Sequence, residues 1–169
     1  MKTKQVSGKI KGNLEFDGEL VLTGGLEVEG WIEAEAINCQ GYSIKAGDSI
    51  KAGDYIKAGD YIEADYFIEA GDYIEAGYFI KAGDGILAQL WIKCKGTLKA
   101  KQAIFAGCKI WDEITDEDKT ITCGKLEGNV EYGIVKEIGL PESDKMITIN
   151  GKKWSENTIK EALKKHANE

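Results

Sequence analysis

The sequence predicts a mainly β protein: a single-stranded triangular β-helix with about 18 residues per coil, followed by a C-terminal hairpin and α-helix. Three observations support this fold class. An aliphatic residue recurs every six positions with a small residue two places later, Lys and Glu alternate at 18-residue spacing, and Asn150-Gly151 separates MITI from KKW near the end. The expected organisation is a β-helix of six-residue repeats over residues 1–112 and C-terminal strands, hairpin and helix over 113–169.

The six-residue repeat is clearest after Tyr42, where the chain reads SIKAGD, SIKAGD, YIKAGD, YIEADY, FIEAGD, YIEAGY and FIKAGD. The aliphatic residue and the small residue two places later point to the same side of a short strand, which we take as the inside of the coil. A glycine usually follows, and we expect it to permit a sharp corner. Degenerate copies continue the aliphatic positions at Ile86, Ile92, Leu98, Ile104 and Ile110.

Six residues match one side of a triangular coil, so outward residues should stack on those 18 positions later. Lys and Glu alternate at this spacing. The predicted stacks are Glu27, Lys45, Glu63, Lys81 and Lys99 on the first side; Glu33, Lys51, Glu69, Leu87 and Phe105 on the second; and Lys57, Glu75, Lys93 and Trp111 on the third. This register predicts about five to six coils over residues 14–112.

The N-terminal copies keep the same step with larger inward residues, among them Leu14, Phe16, Leu20 and Leu22. The pair Ile37/Cys39 comes one residue early and Ile44 one residue late, so the register is restored. Because terminal repeats of stacked folds are atypical, the wide inward residues predict a plugged N-terminal end.

The C-terminal part contains signals of a different kind. Thr120–Cys123 and Asn129–Lys136 have the composition of short strands, with glycines as turn residues. Asn150-Gly151 is a strong hairpin signal. Ser155 is placed to cap a following helix, on which Ile159, Ala162, Leu163 and His166 share one face.

Two resemblances accompany these patterns. The stretch GKIKGNLEFDGELVLTGGLEVEGWIEAEAI resembles bactofilins, which implies a right-handed triangular β-helix and a polymer-forming cytoskeletal protein. Hexapeptide acyltransferases share the repeat length but have a left-handed coil, and there the small inward residue precedes the aliphatic one. The six-residue step favours neither hand. The tail ITINGKKWSENTIKEALKKH is similar to tails of small phage and prophage proteins.

Composition restricts the function classes. The net charge is −7 and every basic side chain other than His166 is a lysine, which disfavours direct binding of duplex nucleic acid. The acidity suits a basic protein partner, and it is equally explained by solubility alone. Neither a membrane-spanning run nor a secretory signal is visible, so a cytoplasmic protein without membrane association is expected. The four cysteines form no CxxC metal pair, Cys39 and Cys94 fall on inward positions, and we expect no catalytic group, metal or cofactor.

The candidate partner-binding residues are corner aspartates and outward aromatic side chains. They are Asp48, Asp54, Asp60, Asp72 and Asp84, together with Tyr55, Tyr61, Tyr73, Tyr78, Phe79 and Trp91. The aspartates are more typical of ordinary solvated turns than of a binding site. At 18-residue spacing the aromatic residues should stack, and they could face another copy, another protein or the C-terminal segment.

These observations lead to three hypotheses. The first is a non-enzymatic, phage-encoded inhibitor, anti-CRISPR-like and acting as an acidic nucleic-acid mimic, which would bind a Cas effector or another nucleic-acid-binding protein in the host cytoplasm. A homodimer is expected. The second is a bactofilin-like self-assembling scaffold. The third is a hexapeptide acyltransferase homologue, although the coil has no histidine to serve as base.

Overall fold

Short parallel strands, each paired with the strand one turn earlier, build the chain into a β-solenoid of about 7 turns and about 18 residues per turn. The computed structural model describes residues 1–109 and 113–141, and the backbone of two strands, Met146–Ile149 and Lys152–Ser155. The expectation of a mainly β coil with an 18-residue repeat is therefore confirmed.

The first turns are made by three longer strands: β1 (Thr3–Ile10), β2 (Leu14–Val28) and β3 (Ile32–Asn38). The later strands fall into three stacks, called faces 1, 2 and 3. Face 1 continues from the end of β2 through β4 (Ile44–Ala46), β7 (Ile62–Ala64), β10 (Ile80–Ala82), β13 (Thr97–Lys99) and β16 (Lys125–Glu127). Face 2 continues from the start of β3 through β5 (Ile50–Ala52), β8 (Ile68–Ala70), β11 (Ile86–Ala88), β14 (Ile104–Ala106) and β17 (Val130–Tyr132). Face 3 continues from the end of β3 through β6 (Ile56–Ala58), β9 (Ile74–Ala76), β12 (Ile92–Cys94), β15 (Thr120–Cys123) and β18 (Ile134–Glu137).

The core follows directly from the alternation in each short strand. In β7, for example, Ile62 and Ala64 are buried, while Glu63 between them points outward. Parallel pairing places each inward isoleucine over the one a turn earlier, as Ile62 lies over Ile44. The result is a single column of buried apolar side chains from Leu14 to Cys123. No buried polar side chain occurs in the described residues.

The predicted 18-residue register is confirmed on the first two faces. Lys45 pairs with Glu63, and Glu63 in turn with Lys81, whose Nζ lies 2.7 Å from a Glu63 carboxylate oxygen. On face 3, Lys57 and Glu75 also pair, at 3.2 Å. Each such exposed pair contributes only about 0.2–1 kcal/mol, so the ladder fixes register more than stability.

The third predicted stack is wrong at its last position. Lys93 pairs with Thr122 of β15, and not with Trp111. The small inward position after Ile110 would be Asp112, and burying an unpaired carboxylate costs several kcal/mol. Ile121 and Cys123 supply the aliphatic and small residues instead, and both are fully buried.

The coil therefore extends beyond the residue-14–112 range that the sequence predicts. Its last turn is shorter than the others, because Ile121 pairs with Val135, only 14 residues later. The predicted strands in 120–136 are present, but they continue the solenoid. At the other end, β1 adds a strand alongside β2 that the repeat pattern does not predict.

The irregularity near Ile37 is absorbed as expected. Ile37 pairs with Ile56 while Ile44 pairs with Leu26, so the coils stay aligned. The extra residue is taken up at Gln40, the one non-glycine residue with positive φ (49°) in the described residues.

The corner glycines of the repeat have a different role from the expected one. Positive φ is confined to Gly8, Gly12, Gly18, Gly107, Gly128, Gly133 and Gly139 among the described glycines, so the repeat glycines do not require a left-handed backbone. Except for Gly53, they are needed for close approach: a Cβ on Gly71, for example, would lie 1.7 Å from the carbonyl oxygen of Gly53 in the preceding coil.

The predicted C-terminal hairpin is present, with β19 (Met146–Ile149) antiparallel to β20 (Lys152–Ser155) and Ile147 paired with Trp154. The predicted α-helix after Ser155 lies outside the described residues. The part of the chain that the structure does describe contains no helix, and hence none that could cross a bilayer.

Candidate protein-interaction surface

The faces of the solenoid meet at three stacked corners, which carry the candidate residues. Corner 1, between faces 1 and 2, comprises residues 47–49, 65–67, 83–85 and 101–103. Corner 2, between faces 2 and 3, comprises residues 53–55, 71–73, 89–91 and 107–109. Corner 3, between faces 3 and 1, comprises residues 40–43, 59–61, 77–79 and 95–96. Hydrogen bonds between backbone groups join successive coils at each corner.

The five predicted aspartates do not form one surface. Asp48 and Asp84 lie at corner 1, Asp54 and Asp72 at corner 2, and Asp60 at corner 3. The carboxylate of Asp72 lies 3.4 Å from the ammonium of Lys109. A partner that approaches one corner therefore contacts at most two of these five aspartates.

The largest predicted aromatic stack contributes to the wall of the solenoid. At corner 2 the rings of Tyr55, Tyr73 and Trp91 lie nearly parallel, with centroids 5.2 and 4.3 Å apart. The three side chains are only partly exposed. The hydroxyl of Tyr55 donates to Glu19 at 3.0 Å, and burial, reinforced by this carboxylate, raises the pKa of Tyr55 to about 12. The predicted ladder is therefore present, and its rings mainly pack on one another.

Corner 3 contains the second stack. Tyr61 and Phe79 lie parallel with centroids 4.8 Å apart, and Tyr78 meets Phe79 edge-on at 5.5 Å. Tyr78 is more exposed than the stacked pair, at 39%. A shallow cleft of about 310 Å³ beside these rings is lined in part by Leu140, so the end of the described chain lies against this corner.

The most exposed aromatic pair was not among the predicted residues. Tyr66 and Phe67 are 51% and 49% exposed, side by side at corner 1. The signal was present in the sequence: one coil earlier and one coil later, the same positions hold Asp48-Ser49 and Asp84-Gly85. Comparing residues 18 apart for departures from the repeat, and not only for agreement with it, would have found the pair.

Three aspartates neighbour Tyr66 at this corner. The amide of Tyr66 donates to the Asp48 carbonyl at 3.1 Å and the amide of Asp84 donates to the Tyr66 carbonyl at 2.9 Å, so Tyr66 stands between two aspartates in one vertical row. Asp65 precedes it in the chain. In the described residues, no lysine nitrogen lies within 4.0 Å of these three carboxylates.

An apolar strip runs from the exposed pair across face 2. The outward column of this face begins with Glu33, Lys51 and Glu69 but continues with Leu87, Phe105 and Tyr132. A cleft of about 240 Å³ lies between the rings of Phe67 and Phe105. We call this region the corner-1 surface; it consists of Asp48, Asp65, Tyr66, Phe67, Asp84, Gly85, Leu87, Ala103 and Phe105.

The described residues show neither a metal-binding cluster nor a reactive thiol among Cys39 and Cys94. They contain no group of three or more His, Cys, Asp or Glu side chains that could hold a metal ion. Burial raises the pKa of both the Cys39 and the Cys94 thiol to about 12, which suppresses the thiolate needed for nucleophilic attack. His166 lies outside the described residues.

No known family model matches this chain, and no curated protein or solved structure is significantly similar to it. The likeness to bactofilins and to small phage proteins therefore rests on the sequence patterns alone.

Proposed function

We propose that this chain is a non-enzymatic protein-binding solenoid that engages its partner through the corner-1 surface. The observation that carries the proposal is the exposure of Tyr66 and Phe67, about half of each residue, at a corner where the neighbouring coils hold polar or small residues. In its most specific form, the protein is a phage-encoded, anti-CRISPR-like inhibitor that binds a Cas effector or another nucleic-acid-binding protein of a host.

The fold does not require these two rings. The neighbouring coils hold the same corner with Asp48-Ser49 and Asp84-Gly85, so a polar or small residue satisfies the backbone there. Contiguous exposed apolar surface is uncommon on soluble proteins and marks interaction sites, whose centres are enriched in aromatic residues. The rings are thus better explained by binding than by folding.

Charge supports a basic partner. The net charge is −7, while lysines on the faces pair with glutamates across the coils, so the unpaired negative charge lies mainly at corners and ends. Carboxylates beside exposed rings favour a protein with a cationic surface, such as one that binds nucleic acid. Because the aspartates are divided among three corners, a local acidic and aromatic epitope is better supported than imitation of a nucleic-acid backbone along the whole rod.

Capture from a host lysate with the tagged full-length protein tests the proposal. The double variant Tyr66→Asp with Phe67→Ser takes both replacements from the coil below, so it should fold normally. We expect wild type to retain a partner that this variant loses at least about tenfold, the effect of losing one or two buried interface side chains. The matched control Tyr42→Ser removes an exposed aromatic side chain at corner 3 and should capture as wild type. Equal capture by all three proteins contradicts the proposed surface.

A bactofilin-like scaffold is the second candidate, because one observation favours it. In the last turn Val135 stacks on Ile121 but is 41% exposed, and Ile134 and Ile138 beside it are 42% and 55% exposed. Among the described residues nothing is stacked on this final turn, and an open end is what end-to-end assembly of solenoids needs. Electron microscopy of the purified protein separates the two: filaments favour the scaffold, and single short rods favour the binding protein. No observation favours the acyltransferase alternative.

A further inference from the structure

We infer that the corner-1 surface recognises a protein segment with one large apolar side chain flanked by Lys or Arg. The apolar side chain enters the cleft between Phe67 and Phe105, and the flanking cations face Asp48, Asp65 and Asp84. This inference rests on the proposed function and specifies its partner.

The cleft exists because two small residues follow a large one in the same row. In the row that holds Phe67, the next coils place Gly85 and then Ala103, and Leu87 and Phe105 rise beside them from face 2. Gly85 lets the Phe67 ring pack close to the next coil: a Cβ added there would lie 3.3 Å from Phe67 Cδ1 and 3.2 Å from the Ala103 carbonyl oxygen, closer than most side chains allow. The recess is the remaining apolar space lined by Gly85, Ala103 and the two phenylalanines.

The size of the recess indicates a side chain as its occupant. Its volume of about 240 Å³ is below the roughly 300–1,000 Å³ typical of sites for small organic ligands. Its walls are aliphatic and aromatic carbon, apart from the neighbouring Glu69 and Gln102. A Leu, Met or Phe side chain from a partner would exclude water from this apolar wall, as central interface residues do.

The charges indicate what flanks the apolar residue. Asp48 and Asp84 lie one coil below and one coil above Tyr66, at the same edge as Asp65. Glu69, on the far side of the cleft, shares its charge with Lys51 at a distance of 3.9 Å. Lys101, one coil above Gly83, limits the acidic region on that side. Cations at the corner thus meet uncompensated carboxylates, while acidic residues there would be repelled.

The test uses the isotope-labelled full-length protein and three capped pentapeptides: Lys-Lys-Phe-Lys-Lys, Glu-Glu-Phe-Glu-Glu and Lys-Lys-Ala-Lys-Lys. NMR titration should show that the first peptide shifts the amides of Phe67, Gly85, Leu87 and Phe105. Removing either the apolar residue or the positive flanks should weaken binding at least about tenfold, given the effect of one buried side chain and of several unscreened charges. Equal affinity of the three peptides, or shifts centred on corner 2 or 3, would overturn the inference.

Two variants sharpen the result. Gly85→Ser borrows the residue of Ser49, and its Cβ would press on the Phe67 ring that lines the recess. Binding of Lys-Lys-Phe-Lys-Lys should weaken by about fivefold or more, since overpacked sites lose their complementarity. Gly41→Ala adds a Cβ that meets nothing within 4 Å and should bind as wild type. Unchanged binding by the Gly85→Ser protein contradicts the recess as the anchor site.

The outcomes also separate this inference from the proposed function. In one outcome, the Tyr66→Asp, Phe67→Ser variant loses the captured partner, Gly85→Ser keeps it, and the three peptides bind equally. The surface then binds protein without the proposed apolar anchor, so this inference fails while the proposed function stands. If capture is unaffected by the double variant, the proposed function fails. Concentration-dependent dimers that disappear in the Phe67→Ser protein would identify a second copy as the occupant and overturn the basic-segment inference.

Discussion

Single residues in this solenoid are constrained by the coil below as much as by their own backbone. Gly53 and Gly71 occupy the same corner position one coil apart. A Cβ on Gly53 would lie 3.4 Å from the nearest atom, the Glu35 carbonyl oxygen, which is ordinary contact. A Cβ on Gly71 would lie 1.7 Å from the Gly53 carbonyl oxygen, an impossible distance unless the coils move apart.

These distances predict different effects for the same substitution. Gly71→Ala should destabilise by about 1–3 kcal/mol, the usual effect of overpacking, and lower Tm by about 2–12 °C for a chain of this size. Gly53→Ala should change Tm by less than about 2 °C, because the alanine fits and reduces the entropy of the unfolded chain. Thermal unfolding followed by circular dichroism measures both. A Gly53→Ala protein as unstable as Gly71→Ala would show that backbone conformation, and not close approach, selects these glycines.

The same residue-scale comparison separates fold from function at corner 1. Positions 48, 66 and 84 share one backbone geometry yet hold Asp, Tyr and Asp. Since the coil accepts aspartate there, folding alone does not explain the tyrosine, which is why we propose it as a binding residue. At corners 2 and 3 the predicted aromatic residues can be explained by folding, because most of their rings stack on each other.

At the scale of strands, the sequence predicts the regular turns of the coil. It does not predict β1, nor that the strands after residue 112 continue the coil. From Ile44 to Ala106 every inward position follows a fixed period, so pattern and pairing agree. In the last turn the inward residues are Ile121, Leu126, Val130 and Val135, at steps of four and five. A search with a six-residue period passes over them. β1 is missed because it has few apolar residues, of which Val6 and Ile10 pack on the core.

The last turn also yields a prediction about assembly. Val135 stands at the end of a buried column and is 41% exposed, whereas Ile121 beneath it is fully buried. If the scaffold hypothesis is correct, Val135→Lys should abolish any filament, because a charge would then be desolvated between two stacked ends. Sedimentation velocity compares this variant with wild type. A wild-type protein that sediments as a monomer or dimer, unchanged by the substitution, excludes end-to-end assembly through this turn.

For the whole molecule, the charge distribution matters more than the net charge. About 7 turns at roughly 4.8 Å each give a rod about 34 Å long. Its faces are largely neutralised by Lys–Glu pairs between coils, such as Lys57–Glu75. A cleft near the N-terminal end is lined by four carboxylates, Glu15, Asp17, Glu33 and Glu35, and by one lysine, Lys51. If the partner is a basic protein, as proposed, its attraction to the ends and corners of this rod should weaken as salt screens the charges.

Only part of the candidate site could be predicted from the sequence. Two of its aspartates, Asp48 and Asp84, were identified from the corner positions of the repeat. Tyr66, Phe67 and the recess at Gly85 depend on which corners lie side by side and on how much of each ring stays uncovered. Those quantities appear only once the coils are stacked.

Hydrogen exchange of the full-length protein, alone and bound to its captured partner, tests the central claim most directly. If the corner-1 surface is the interface, added protection will be confined to peptides covering residues 65–69, 83–87 and 101–106. The buried rungs elsewhere should exchange as in the free protein, since they are already protected. Protection at corner 2, at corner 3 or in the last turn, with none at Tyr66 and Phe67, would contradict the account.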